Sequence, residues 1–518
     1  QIVHKRAFGI HHSDDKWDTA AGVLVAVAAC LSFAVLILKL PVLPLADVPN
    51  HIVTLAKLGD TLPSGSLNYL QVFWTPRPNM AMEMTYVLLG TGLAPEIFAK
   101  LFLLTGFCLY MAGIIGLSLM VHGRITPLLP VIAATFFSMP LHLGFMNYVF
   151  TAALLPGTVA LYLYIRRQAL IGALLFGNAA GALLLAGHGF GLGIFGLVLA
   201  GLELGLGLER RAGTSRPLLE TILRAVIITA LASLVPMVLM GYYFFDNPSA
   251  SLGFRWPALR DKLFEIAFFS LPYARILPFV VLLFLGAVLT GTILRRRFPL
   301  TPLLAGSVLL VLLAAIAMPS LIGGFAYAHT RLWSVVVALG ALALIPPVTT
   351  QWRAVIWCTA AGLFVWQFAI IAQTWSQSAR DIANIRAELQ SLEEGASVVL
   401  VDPGRRQGLF SKTPMLHVGA YAALDRNAFV PSLFALPEQH LIRYRDDVAA
   451  LSKLLSKRQF FTDREGWLDT AATHTDSVIL LGPDTPEGRE VSAALTAVGF
   501  TRTQDGPGVR ILSRAKAR

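Results

Sequence analysis

The chain has 518 residues, 56% of them hydrophobic and only 14% charged, a balance too apolar for a soluble globular protein. Its net charge of +11 is spread over short gaps between apolar runs and a tail ending Arg514, Lys516 and Arg518, which suits phospholipid headgroups and argues against a nucleic-acid partner. Cys30, Cys108 and Cys358 all fall inside apolar runs without a CxxC spacing, so they read as small buried hydrophobes with no redox message.

In chain order, a polar arm of some 19 residues precedes apolar runs at 20–44, 95–121, 125–141, 146–165, 169–187, 189–208, 218–245, 273–294, 299–321, 331–349 and 354–376. Most approach the ~20 residues that a helix needs to cross hydrocarbon, where no other open-ended structure satisfies its backbone. The first run is too long for a cleavable signal and lacks a small-x-small exit. Basic residues occupy every second gap: Lys5, Arg6 and Lys16, then Arg124, Arg166–Arg167, Arg210–Arg211–Arg216, Arg295–Arg296–Arg297 and Arg353. The gaps at 142–146, 187–190 and 322–330 carry none. The positive-inside rule puts the first set, with the N-terminus, in the cytoplasm and the second set outside.

Residues 79–93 are apolar but short, contain Glu83 and run into Ala94-Pro95, so they read as interfacial or re-entrant. The expected fold is therefore a polytopic α-helical membrane protein with about 11 transmembrane helices (range 11–13) and an outer C-terminus. Its membrane domain, 1–377, includes a first outer loop at 45–94 and an outer loop at 246–272. In the latter, charges interleave with Trp256, Leu259, Leu263, Phe264, Ile266 and Phe268, the pattern of an amphipathic helix on the membrane surface. It serves as a structural skirt or as a lid over substrate.

From about 378 the apolar runs stop, and 377–395 reads as a helix continuing from the last span. Residues 378–518 are expected to form a soluble α/β domain. It has buried strands at 397–401 and 476–481, helices at 415–425, 443–456 and 486–498, and a terminal hairpin around Asp505-Gly506-Pro507-Gly508. No catalytic constellation is visible in it. Tyr421, Arg443 and Arg445 are candidate acceptor-glycan contacts beside the plainer alternative of a packed surface.

The chemistry-bearing residues gather on the expected outer face. Asp47-x-Pro49 begins a helix well, since aspartate caps and proline fits the first turn. A plain cap leaves His51 unexplained; lying one helical turn on, it makes an acid–imidazole pair at the membrane rim. Such a pair can bind a divalent cation (Mg or Mn), position a phosphate or take a hydroxyl proton. Glu83 is the second suspicious carboxylate, because acids at membrane depth are costly; its alternative is snorkelling to the surface. Candidate substrate-binding residues are His142 and Asn147, His188 between two glycines, and Tyr327, His329 and Arg331, the last suited to a phosphate or pyrophosphate. The ordinary alternative for each is an interfacial hydrogen-bonder or headgroup anchor.

No GxxxxGK[ST], GxSxG or HExxH stretch is present, and few ionisable residues lie mid-span, which disfavours ATP-driven pumps and ion-coupled antiporters. A first span, a long outer loop opening on an acid, many short-looped spans and a terminal outer domain together resemble the GT-C superfamily of membrane glycosyltransferases. More narrowly, Asp47-x-Pro49-x-His51, Gly144-Phe145-Met146-Asn147, the His188 turn, His417-Val418-Gly419-Ala420-Tyr421-Ala422 and 427–434 resemble poorly characterised bacterial GT-C-like membrane proteins. The resemblance implies an enzyme of the bacterial inner membrane with a periplasmic C-terminal domain. It would move a hexose or pentose from a polyprenyl-phosphate donor to an envelope glycan or lipid acceptor, with Asp47 as base or metal ligand. Many GT-C members pair two acids in this loop, whereas Val48 follows Asp47 here, which leaves metal use and catalysis itself open. The competing readings are a non-catalytic GT-C-like scaffold or a lipid or polysaccharide transport component, with envelope-complex partners.

Overall fold

A computed structural model describes residues 12–63, 65–211, 217–246, 254–266, 276–294, 299–322, 325–345, 349–403, 413–435, 440–506 and 508–514. The basic residues Lys5, Arg6, Arg216, Arg295–Arg297, Lys516 and Arg518, and 247–253 and 267–272 of the loop at 246–272, lie outside them.

Long apolar stretches become helices because only a helix satisfies every backbone group locally when water is absent. In chain order these are α1 (His12–Lys39), α2 (Val48–Leu58), α3 (Ala81–Thr85) running into a π-helix at Tyr86–Gly90, α4 (Pro95–His122), α5 (Leu129–Ala134), α6 (Met139–His142), α7 (Met146–Gln168), α8 (Leu170–Gly187), α9 (Gly189–Arg211), α10 (Leu218–Ala232) and α11 (Leu234–Asp246). There follow α12 (Leu259–Glu265), α13 (Leu277–Leu294), α14 (Pro302–Ala317), α15 (Thr330–Ala343) and the 40-residue α16 (Thr350–Leu389). Each of the eleven expected runs has a helical counterpart. Among the described residues seven are long and apolar enough to cross a membrane, and α10 with α11, bent by 61°, makes an eighth if counted as one span. The remaining three, Leu129–His142, Pro302–Ala317 and Thr330–Ala343, are shorter than a straight crossing needs. α4, by contrast, rises about 42 Å, more than the hydrocarbon thickness.

The chain forms two compact units. The first comprises Gln1–Leu36, Leu103–Leu141 and Asn147–Ala372; the second comprises Ile37–Phe102, His142–Met146 and Gln373–Arg518.

In the first unit an edge-on aromatic cluster of Phe33, Phe107, Phe136 and Phe137 fills the core. Two acids are buried there, each saturated by donors, as an ion out of water must be. Asp18 accepts from Arg353 Nη1 and Trp357 Nε1, both at 3.0 Å, with Arg124 at 3.8 Å. Glu203 takes a two-pronged bond from Arg166, at 2.7 and 2.9 Å, and one from Tyr162 at 2.9 Å. Cys358 is exposed on its helix rather than buried, on a face that lipid rather than protein would cover. Of the expected surface helix in 246–272, the seven residues of α12 are described. Lys262 from it donates to the carbonyls of Ile316 (2.6 Å) and Met318 (2.7 Å), and Trp256 to that of Ala317, so the segment caps the open end of α14.

In the second unit, strand β1 (Leu70–Val72) of the first loop pairs antiparallel with Ile442–Tyr444 near the C-terminus. Tyr69 donates to the carbonyl of Ala428, 359 positions away. Residues 398–514 carry a four-stranded sheet in which Val398–Val401 runs parallel to Ser477–Leu481, and Val509–Arg514 follows antiparallel, flanked by Phe500–Gly506. The first two strands fall where their uninterrupted apolar runs place them. Trp467, Val478, Leu480, Leu495 and Phe500 make its core.

Removing one partner of a buried ion pair strands the other charge, at a cost of about 3–5 kcal/mol. Asp18→Leu is therefore expected to lower the melting temperature in detergent well below that of Asp18→Asn, which keeps an acceptor for Trp357.

Candidate functional site

The second unit assembles the first group of chemistry-bearing residues around the start of α2. The amide hydrogens of Ala46 and Asp47 bond to the carbonyls of His142 (3.3 Å) and Leu143 (3.1 Å). The turn that offers those carbonyls continues through Gly144 at φ +78°, where a Cβ would lie 2.6 Å from the Asp47 nitrogen, so a side chain is excluded there. Asp47 stands at the N-cap position but its side chain makes no capping bond. The cap expected from its sequence position is thus absent, and the carboxylate is spent elsewhere: His417 Nε2 lies 3.5 Å from its Oδ1.

One turn on, His51 is buried with Nδ1 3.2 Å from Glu83 Oε1. Glu83 is itself 3% exposed, so it is a buried partner rather than a snorkelling surface acid. Burial works against a charge on His51. The hydrogen bond and negative charge of Glu83, with Asp47 nearby, outweigh it and raise the histidine pKa above its ordinary 6.5. His440 behaves oppositely: burial, then the charges of His51 and Arg77, push it down to about 4 and keep it neutral. Phe434 sits among these rings, edge-on to His417 at 5.0 Å and stacked on His440 at 5.0 Å. Its amide donates to Asn50 Oδ1, and the Asn50 Nδ2 donor is buried with no hydrogen-bond partner among the described residues. The ring of His142 packs edge-on against Trp375.

The first unit assembles a second group. Arg331 Nη1 lies 2.8 Å from His188 Nε2, and its guanidinium covers the rings of Tyr148 (5.3 Å) and Phe190 (4.9 Å). The Tyr148 hydroxyl donates to the Arg331 carbonyl. Because an arginine always donates, His188 must present a bare Nε2 to it, and the ring is neutral. Gly187, just before His188, needs its small size, since a Cβ there would strike the Thr151 hydroxyl. Asn147 is buried in the first turn of α7, where its carbonyl accepts from that same hydroxyl. His329 pairs with Glu265 at the end of α12, and Tyr327, at φ +57°, offers its carbonyl to Thr330.

By fold, the chain is similar to ArnT from Cupriavidus metallidurans in the apo state, with a TM-score of 0.53 at 12% identity over 95% of this chain and 97% of that one. The fold is GT-C-like. ArnT from the same organism bound to undecaprenyl phosphate gives 0.47 at 12% identity over 96% of this chain and 98% of that one. An Archaeoglobus fulgidus oligosaccharyltransferase tethered to an acceptor peptide gives 0.47 at 12% identity, over 96% and 74%. No protein-family model and no curated protein matches the sequence.

Within this GT-C-like fold, the sequence picked out Asp47, His51 and Glu83 as one group and His188 with Arg331 as part of another. It missed His417, His440, Asn50 and Phe434. His417 and Phe434 fall in the two C-terminal stretches that carry the resemblance, which was the signal available. Tyr421 is buried under Arg386, Arg443 covers Phe73, and Arg445 pairs with Asp447. Asp47 and His51 are the residues that would hold a divalent cation. A carboxylate on one ring nitrogen, as Glu83 is on His51, is also how a metal-ligating histidine is oriented, although a ligating imidazole must give up the proton that Glu83 favours. Among the described residues no group of three or more His, Cys, Asp or Glu stands ready to hold a metal.

A histidine with a raised pKa holds its proton more tightly in the folded chain than in the unfolded one. The stabilisation from the His51–Glu83 pair is therefore full below about pH 6.5 and is lost as pH rises through the raised value. The melting-temperature gap between the natural protein and Glu83→Gln is expected to be widest below about pH 6.5 and to narrow as the pH rises through the raised value.

Proposed function

We propose that this chain is a membrane glycosyltransferase. It takes a hexose or pentose from a polyprenyl-phosphate-linked donor and passes it to an envelope glycan or lipid acceptor. The observation that carries the proposal is the double position of Tyr148. Its ring supports Arg331, a buried cation suited to a lipid phosphate, and it also lines an apolar cleft with Tyr110, Ile114, Phe136, Val198 and Leu339. A phosphate at Arg331 with a hydrocarbon tail in that cleft is the arrangement a polyprenyl phosphate requires. ArnT, whose fold this chain shares, has been solved with undecaprenyl phosphate bound.

Each unit is assigned its own part of an inverting displacement: in the first, Arg331 takes the departing phosphate, with His188 holding the guanidinium in place. In the second, the Asp47 carboxylate takes the acceptor proton, and His417 is placed to receive it. In the reaction the acceptor oxygen attacks the anomeric carbon while the carbon–oxygen bond to phosphate breaks, and the bonding pair leaves with the phosphate. His51 and Glu83 fix the opening of α2, and the Asn50 Nδ2 donor is available for a substrate oxygen. The alternation of basic gaps supports an inner-membrane protein with a cytoplasmic N-terminus and a periplasmic C-terminal region.

The test uses protein reconstituted in liposomes with a panel of undecaprenyl-phosphate monosaccharides, with release of undecaprenyl phosphate followed by mass spectrometry. Asp47→Asn is expected to lower turnover about 10²- to 10⁴-fold while leaving the melting temperature within a few degrees. Arg331→Gln is expected to raise KM for the donor as well as lower kcat. Unchanged turnover in both would leave the scaffold reading in possession. Chelation with EDTA separates the two roles open to Asp47: unchanged turnover leaves it as the base, and a loss restored by added Mg²⁺ or Mn²⁺ assigns it to a metal.

A further inference from the structure

Asn50 is the first polar side chain after Asp47 on α2, and it is 1% exposed. The two ends of its amide are not interchangeable. The Phe434 backbone N–H is a donor, so the atom that meets it at 3.2 Å must be Oδ1. The other end is then Nδ2, which only donates, and it has no hydrogen-bond partner among the described residues. A buried donor left unmet costs free energy, and a bound molecule that supplies a lone pair removes the cost.

The helix decides which groups share its surroundings. Asp47, at the N-cap, already has right-handed helical dihedrals, so 47, 50 and 51 follow helical spacing and lie on one face. Residues three apart on such a face have Cβ atoms about 5–6 Å apart. The Phe434 ring closes the group from the other side. It packs on His51 at 6.4 Å and on His417 at 5.0 Å, and His417 is the ring beside the Asp47 carboxylate. All of these residues belong to the second unit. Asp47 is the more open member, its side chain 13% exposed.

The carboxylate and the amide ask for opposite things: one accepts a hydrogen bond, the other gives one. A lone hydroxyl on Asp47 answers the first and leaves Asn50 unmet. A phosphate oxygen answers Asn50 but brings like charge against the carboxylate. Two hydroxyls on adjacent carbons answer both. One gives its proton to Asp47 and attacks, and its neighbour offers a lone pair to Nδ2. With each oxygen about 2.8 Å from its own protein group, such a pair suits residues three apart on a helix.

We infer that the acceptor is a vicinal diol, and that Asn50 recognises the hydroxyl next to the one that receives the sugar. The inference rests on the reading of Asp47 as the base. A sugar ring and a glycerol headgroup carry this diol alike.

The test gives the reconstituted protein the same donor panel with 1-octanol, 1,2-octanediol, octyl phosphate, octyl glucopyranoside, its 2-, 3- and 4-deoxy analogues, and phosphatidylglycerol as acceptors. Products are followed by mass spectrometry. The diol is expected to exceed the single alcohol in kcat/KM by about 10- to 100-fold, and at least one deoxy glucoside to lose a similar factor. Asn50→Asp keeps the oxygen that the Phe434 amide needs and removes the donor. It should bring the two alcohols within about threefold of each other, whereas a merely structural loss lowers both alike. Should that variant not fold, the comparison of alcohols on the natural protein decides alone. A higher rate with the glucoside than with phosphatidylglycerol assigns the diol to a ring, and the reverse assigns it to a headgroup. Equal use of the two alcohols, transfer to octyl phosphate, or a diol preference that survives Asn50→Asp would overturn the inference and leave sugar transfer standing. Donor left intact with every acceptor would remove the transferase reading, and the inference with it.

Discussion

The amide hydrogens of Ala46 and Asp47 precede the first turn of α2 and have no acceptor within that helix; they find one in the carbonyls of a distant turn at 142–143. That turn comes so close only because residue 144 is glycine. Any other side chain would pay both for the left-handed backbone, about 1–2 kcal/mol, and for a collision with the Asp47 backbone. Because the turn meets the backbone's needs, the Asp47 side chain is released from the capping duty its position invites. The contact with His417 and the raised pKa of His51 both follow from where this arrangement puts the start of α2.

Two kinds of buried charge are present. Asp18 and Glu203 each accept from an arginine and from a ring donor, so every strong lone pair is answered and the group is inert. Around Asp47 the balance is different. Three histidines gather near Phe434, one held toward its protonated form by Glu83 and another held neutral by burial and like charge. Neighbouring groups pushed to opposite protonation states are the arrangement from which acid–base chemistry is built.

The helical framework was legible because hydrocarbon leaves a chain few options: each apolar run became helical, although the runs at 125–141 and 218–245 broke in two and the helices at 129–142, 302–317 and 330–343 fell short of a crossing. The strands at 398–401 and 477–481 were legible for the same reason, as uninterrupted apolar runs. What stayed hidden is long-range. β1 has three residues and no periodicity of its own; it exists because Ile442–Tyr444 pairs with it. His417 carries no local mark of its approach to Asp47, since nothing in a single sequence measures a distance across several hundred residues. The cap reading of Asp47 applied a sound rule to the residue type and failed on a tertiary contact that satisfied the backbone first.

The π-helix at Tyr86–Gly90 has a consequence of its own. Such a segment is an α-helix carrying a residue too many, and it survives where the resulting phase of the side chains matters. Glu83 lies just upstream of it, and each residue of an α-helix turns the chain by about 100°. Evolutionary loss of one position between 86 and 90 would relax the wider coil into regular form and swing the glutamate a quarter-turn or more away from its imidazole. The surplus residue thus works as an angular spacer, setting the direction of a carboxylate that no rotamer change could restore.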